Sequence, residues 1–223
     1  MKDQQPALVD LDRSKMGDCG FGLDSTPPPS DFSFFDPKMQ PTVAGQTEAE
    51  KLLAMVTEWT QLSADTKPWL LIAGGVGTGK TELLRSAVWQ MRLAELRPYY
   101  LTAAEFDLRI KDFKKGADDV NRAVYLPPDE WLMRLAAAPM LVIDDLGAGV
   151  LDSGFVTTRI ERLFSLRYQN RLPTAASTNL TPEGFLSTVG SRVYSRFTDT
   201  SVAEIIDLKH CEDIRPLLGV RDW

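Results

Sequence analysis

Eight residues constrain the rest of the chain. GGVGTGKT, Gly74 to Thr81, follows directly on the apolar run Trp69-Leu-Leu-Ile-Ala73 and leads into TELLRSAVW, Thr81 to Trp89. The spacing fits G-x-x-x-x-G-K-[ST], a loop whose backbone amides wrap an anion at a helix N-terminus. Such a loop needs a buried strand before it, expected over Pro68–Ala73, and a helix after it. A strand that is apolar throughout is covered on both faces, so helices must pack on two sides of a sheet.

The loop residues also define a chemistry. Gly74, Gly77 and Gly79 let the backbone approach phosphates without Cβ clashes. The cradle comprises Gly74, Gly75, Val76, Gly77, Thr78 and Gly79, followed by Lys80, Thr81 and Glu82. Lys80 is placed to meet the β- and γ-oxygens of a nucleotide, and the Thr81 hydroxyl to ligate Mg2+.

Strand and helix patterns alternate along the chain. Pro98–Thr102, Met140–Asp144, Thr174–Thr178 and Ala203–Leu208 read as further strands. Helices are expected after a Thr47-x-x-Glu50 capping box, after a second such box at Thr102 and Glu105, around Trp131, Leu132 and Leu135, and over Ile160–Arg171. Phe106, Ile110 and Phe113 share one helix face. This order implies an α/β fold with a parallel five-stranded sheet and helices on both faces.

Residues 1–44 read as a separate extended segment, polar and punctuated by the proline run 27–29, ahead of a domain spanning 45–223. Its aromatic cluster, Phe32, Phe34 and Phe35, either docks on that domain or serves as a hook for a partner.

Composition excludes several classes. The start of the sequence lacks the basic–apolar–small order of a secretory signal. No apolar run approaches the roughly 18 residues of a membrane span, so a cytoplasmic protein without membrane contact is expected. Two cysteines far apart, Cys19 and Cys211, and one histidine, His210, do not make a zinc site. The net charge of −6 lacks the basic excess of a duplex binder. Any DNA contact, single-stranded or duplex, then comes from a local patch or from an assembled oligomer.

Three more features narrow the class. MLVIDDLG ends an apolar strand in two acids: Asp144, placed to hold the water shell of Mg2+, and Asp145, placed to orient and deprotonate an attacking water. The alternative is that both simply end a strand. PTAASTNL ends another strand at Asn179, an ordinary turn residue or an amide that senses the γ-phosphate. In GSRVYSRFTDT, Arg192 and Arg196 share a helix face. That face either salt-bridges at the surface or carries, in Arg196, a finger for the γ-phosphate of a neighbouring subunit.

Together these stretches resemble the AAA+ ATPases, and more narrowly the DnaC/DnaI helicase-loader and IstB transposition-ATPase group. The resemblance rests on GGVGTGKTELLRSA, YYLTAAEF, LVIDDLG, RYQNRLPTAASTNLTPEGF and RVYSRF, and covers residues 45 to about 215. It implies a strand order 5-1-4-3-2, an abbreviated or absent helical lid, Asn179 as first sensor and Arg196 as trans finger, with Arg215 a weak second sensor. The implied function is an ATPase that assembles into homo-oligomers and acts on a replicative helicase, single-stranded DNA, or both. The alternative is an IstB/TnsC-like ATPase that regulates a DNA transposase by oligomerising on duplex DNA. Lys111, Lys114 and Lys115 are the nearest approach to the basic stripe this needs. Asp145 stands where many of these ATPases carry Glu, which suits a slow switch.

Overall fold

The computed structural model describes residues 30–63, 66–112, 127–147 and 154–217. Phe113, Lys114, Lys115, the proline run 27–29 and Cys19 lie outside them. Five strands, β1 (Trp69–Gly74), β2 (Pro98–Thr102), β3 (Met140–Asp144), β4 (Thr174–Thr178) and β5 (Ala203–Leu208), form one sheet. All pairings are parallel, and the order is β2-β3-β4-β1-β5, the expected 5-1-4-3-2 seen from the other edge. Seven α-helices connect them among the described residues: α1 (Val43–Gln61), α2 (Lys80–Leu93), α3 (Ala103–Asp112), α4 (Pro128–Ala137), α5 (Gly154–Gln169), α6 (Pro182–Val189) and α7 (Ser191–Phe197). None is long and apolar enough to cross a membrane.

Strand alternation divides the core in two. Trp69, Leu71, Leu101, Leu141, Ile143 and Ala176 face one side, against α3 to α7. Leu70, Ile72, Tyr100, Met140, Val142 and Ala175 face the other, against α1 and α2. Each fully buried Leu, Ile or Val contributes about 1.5–3 kcal/mol, so a register slip in any central strand would forfeit several such terms at once.

On the first side, Trp69 packs within 5.7 Å of the Phe164 ring and 5.1 Å of the Phe197 ring, pinning α5 and α7 to the phosphate-loop strand. Arg167 on α5 is completely buried, and its guanidinium donates to Leu135 O at 2.9 Å, Ala138 O at 2.8 Å, Pro173 O at 2.5 Å and Thr174 Oγ1 at 2.8 Å. It thereby caps the C-terminus of α4 and ties it to the start of β4, where a cation is favoured by the helix dipole.

Two helix starts differ from expectation. The α1 helix begins at Val43, because Thr42 is extended and its Oγ1 accepts from Gly45 N at 3.0 Å. Thr47 therefore lies inside the helix, and its hydroxyl donates back to Val43 O at 3.0 Å. At Thr102 the same motif does close as a box: Thr102 N donates to Glu105 Oε2 at 2.6 Å and Glu105 N to Thr102 Oγ1 at 3.1 Å. The α5 helix starts at Gly154, with Val156 extending the apolar stripe of Ile160, Leu163 and Phe164.

The segment before α1 packs on the domain. Asp31 and Asp36 cap short 3-10 turns, Phe32–Phe34 and Pro37–Met39. Phe35 is buried in the α1/α2 side of the core, Phe32 packs partly against it, and Phe34 remains exposed. Ser30 bonds Glu82 and Ser86 on α2.

Candidate nucleotide site

The site forms where β1, β3 and β4 end side by side. The β1 strand runs into the phosphate loop through Gly74 and Gly75, and α2 begins at Lys80 with Gly79 as its N-cap in the left-handed region, φ 91°. A side chain at Gly79 would place its Cβ 2.6 Å from the Phe35 ring. At Gly77, φ 75°, a Cβ would collide with the Asp213 carboxylate. Both glycines are therefore required by backbone angle and by space.

Lys80 is buried, and its Nζ donates to Gly74 O at 2.8 Å, Gly75 O at 2.5 Å and Thr78 Oγ1 at 3.3 Å. Burial pushes its ammonium down to about 8, against the attraction of Asp144 and Asp145. Thr81 follows in the first turn of α2, with Glu82 beside it.

Asp144 is buried at the end of β3, with both carboxylate oxygens engaged. Oδ1 accepts from Ser177 Oγ and, at 3.1 Å, from Asp145 N; Oδ2 accepts from the Tyr100 hydroxyl at 2.8 Å. The Arg85 guanidinium bonds the same phenol.

Asp145 adopts φ 56°, a left-handed conformation uncommon outside glycine that gathers at functional sites. Its N–H is held by Ser177 Oγ at 2.8 Å, and Leu146 N donates to Ser177 O at 2.7 Å. The kink directs the carboxylate to Asn179, whose Nδ2 donates to Asp145 Oδ1 at 2.6 Å. Burial, then the charge of Asp144, raise the Asp145 carboxyl above its usual range, with Lys80 opposing.

Lys80, Asp144, Asp145 and Asn179 are thus brought together, as the sequence suggested. Arg196 has other neighbours. It donates to Arg192 O at 2.8 Å and lies 5.4 Å from the Tyr168 ring on α5, while Arg192 pairs with Glu161 at 4.0 Å. None of these partners belongs to the loop. Arg215 lies within electrostatic reach of Lys80, and its Nε bonds Asp213 Oδ1 at 2.9 Å. Ile214 N donates to Gly77 O at 3.1 Å, so the stretch after β5 crosses the loop.

Tyr100, Ser177 and Asp213 line the site without having been singled out by sequence reasoning, and Phe35 was read only as a docking or partner-binding aromatic. A buried strand hydroxyl next to an acid-ended strand is the one available signal for the first two, since buried hydroxyls require partners.

The donor set fits Mg2+. One carboxylate, the Thr81 hydroxyl and a phosphate cradle are the sparse protein contribution usual for this ion, which keeps most of its waters. Among the described residues, no cluster of three or more His, Cys, Asp or Glu side chains forms a closed cage for another metal.

Compared by sequence, the chain matches no family model and no curated protein. Compared by structure, it is similar to the DnaC helicase loader, with a TM-score of 0.60 and 20% identity over 75% of this chain and 92% of that one. It is similar to DnaI at 0.57 and 19%, over 72% and 84%. AMPPCP-bound DnaA from Aquifex aeolicus gives 0.59 and 20%, over 78% of this chain but 51% of that one. The fold is therefore the one these structures share, a parallel α/β sheet with a phosphate-type loop after its first strand.

Proposed function

We propose that the protein is an ATP-hydrolysing switch of the helicase-loader kind, acting on a replicative helicase, single-stranded DNA, or both, in replication initiation. The observation that carries it is the Asn179–Asp145 hydrogen bond, which joins a strand-end amide to a strand-end acid beside Lys80 and Asp144. Lys80 binds and neutralises the β- and γ-phosphates, held by the amides of Gly75 to Thr81. Thr81 and Asp144 are the residues that would hold Mg2+, which would offset charge on the phosphates. Asp145 orients the attacking water and takes its proton, its carboxyl raised by burial and by the neighbouring Asp144 charge. Asn179 fixes that carboxylate and reports on the γ-phosphate. Arg196 completes the site of a neighbouring protomer in a homo-oligomer, its i,i+4 partner Arg192 holding the helix against Glu161.

Residues 1–44 form the partner-binding segment, with the domain proper from 45 onwards. The packing of Ser30 and Phe35 on α2 supports the view that its docked end communicates with the loop. The transposase-regulator reading needs a basic stripe for duplex DNA. Lys111, the described member of the lysine group, is paired with Asp107 at 2.7 Å, which favours the loader reading.

The deciding experiment is co-elution with a hexameric replicative helicase, with ATP present. Loss of the complex on deleting residues 1–44, in protein shown by circular dichroism and thermal unfolding to remain folded, supports the loader reading. Unaltered helicase binding by the deleted protein, or duplex binding with a steep negative salt slope, overturns it.

A further inference from the structure

We propose that Ser177 and Tyr100 are positioning residues that leave the Asp144 carboxylate a single free acceptor, on Oδ2, for the metal's water shell. The proposal rests on the ATPase reading above and deepens it.

A carboxylate offers about four lone-pair sites, two on each oxygen. Asp144 Oδ1 takes two donors, the Ser177 hydroxyl and the Asp145 amide, and is filled. Oδ2 takes one, the Tyr100 hydroxyl at 2.8 Å, and retains one site. The carboxylate is thereby fixed in rotation as well as position. Two strands supply the clamp: Tyr100 from β2 and Ser177 from β4 flank β3 on opposite sides. Both hydroxyls are buried.

Ser177 has a second task. The same oxygen accepts the Asp145 amide at 2.8 Å, and the Ser177 carbonyl accepts from Leu146. One residue therefore sets the rotation of Asp144 and the left-handed kink that presents Asp145 to Asn179. The metal-holding acid and the water-orienting acid share a support.

Outer partners of metal-holding groups typically alter metal affinity by about 10–100-fold when removed. The test uses the full-length protein, Mn2+ followed by its electron paramagnetic resonance signal with AMPPCP present, and AMPPCP affinity measured separately in EDTA. Tyr100→Phe and Ser177→Ala are expected to weaken Mn2+ binding about tenfold while shifting nucleotide affinity in EDTA by less than about twofold. Ser177→Thr, which retains the hydroxyl, is expected to restore Mn2+ affinity. Unchanged Mn2+ affinity in both variants overturns the proposal. So does an equal loss of nucleotide binding in EDTA, which marks a role in folding alone. Failure of the parent protein to bind AMPPCP overturns the ATPase reading itself, and this inference with it.

Discussion

Asn179 Nδ2 donates to Asp145 Oδ1 at 2.6 Å across the ends of the neighbouring strands β4 and β3. The bond holds a carboxylate whose backbone is already set in the left-handed region and whose charge faces that of Asp144. Charge and a left-handed backbone are both concentrated at this one strand edge.

Asp145→Asn should therefore retain ATP binding and lose turnover. It keeps the oxygen that accepts from Asn179 while removing the repulsion with Asp144. A carboxyl raised in the folded state weakens folding above its folded pKa, and this penalty fades as pH falls through that value. The variant should be slightly more stable at pH 7, by less than about 1 kcal/mol because the site is partly solvated. Thermal unfolding and single-turnover hydrolysis measure the two effects. A destabilised variant with normal turnover would count against the assigned role.

Lys80 carries a different pH dependence. Its ammonium, held down to about 8 by burial, is charged at neutral pH and neutral above that value in the free protein. The unfolded chain then holds more protons between about 8 and the ordinary lysine range, so stability rises with pH through that window. Lys67, buried beneath Trp59 and also pushed down to about 8, adds to the same rise, so Lys67→Met is the control. Phosphate binding favours the charged lysine. Titration calorimetry in two buffers near pH 8 should show proton uptake and an ATP affinity that falls as pH rises. Lys80→Ala should abolish binding, and with it the uptake.

Arg196→Ala should leave each protomer able to bind ATP while losing turnover, by the 10³-fold order typical of arginine fingers. Mixing Arg196→Ala protein with Lys80→Ala protein should recover part of the activity, because each lacks a different half of the shared site. Normal hydrolysis by Arg196→Ala alone rules out the shared site.

Phe35 lies against Gly79 on the back of the loop. Phe35→Ala should cost about 3 kcal/mol, the low end for a buried phenylalanine, read by urea unfolding. It should also weaken nucleotide affinity more than a change at the exposed Phe34. Equal effects of the two substitutions would show that the segment and the loop are not coupled.

Pro98–Thr102, Met140–Asp144, Thr174–Thr178 and Ala203–Leu208 form as expected, the central Met140–Asp144 as a nearly unbroken apolar run and the edge strand Ala203–Leu208 with Glu204 and Asp207 exposed. Helix starts were less legible. Thr42 and Thr47 are both capping residues by type, and only the backbone at Thr42 decides between them. In the site, Lys80 opens α2, Asp144 ends β3, and Asp145 and Asn179 directly follow β3 and β4, all boundaries of elements that the sequence pattern marks. Tyr100 and Ser177 were not recognisable, because their partner lies on a neighbouring strand. The register that pairs Thr102 with Asp144 and Val142 with Ala175 is a property of the assembled sheet, not of any local stretch.

One contact near the loop bears on how the chain acquires its shape. Gln40 and Glu212 exchange hydrogen bonds, Glu212 N donating to Gln40 Oε1 at 2.7 Å, while His210 bonds Glu48 and Ile214 caps Gly77. The ring around the phosphate loop is thus closed by segments 172 residues apart. Contacts between such distant segments carry the largest loop-closure entropy and slow folding. During synthesis the loop and its helix emerge long before the stretch that seals them. The enclosure of the loop is therefore completed only when the chain has left the ribosome as far as Ile214.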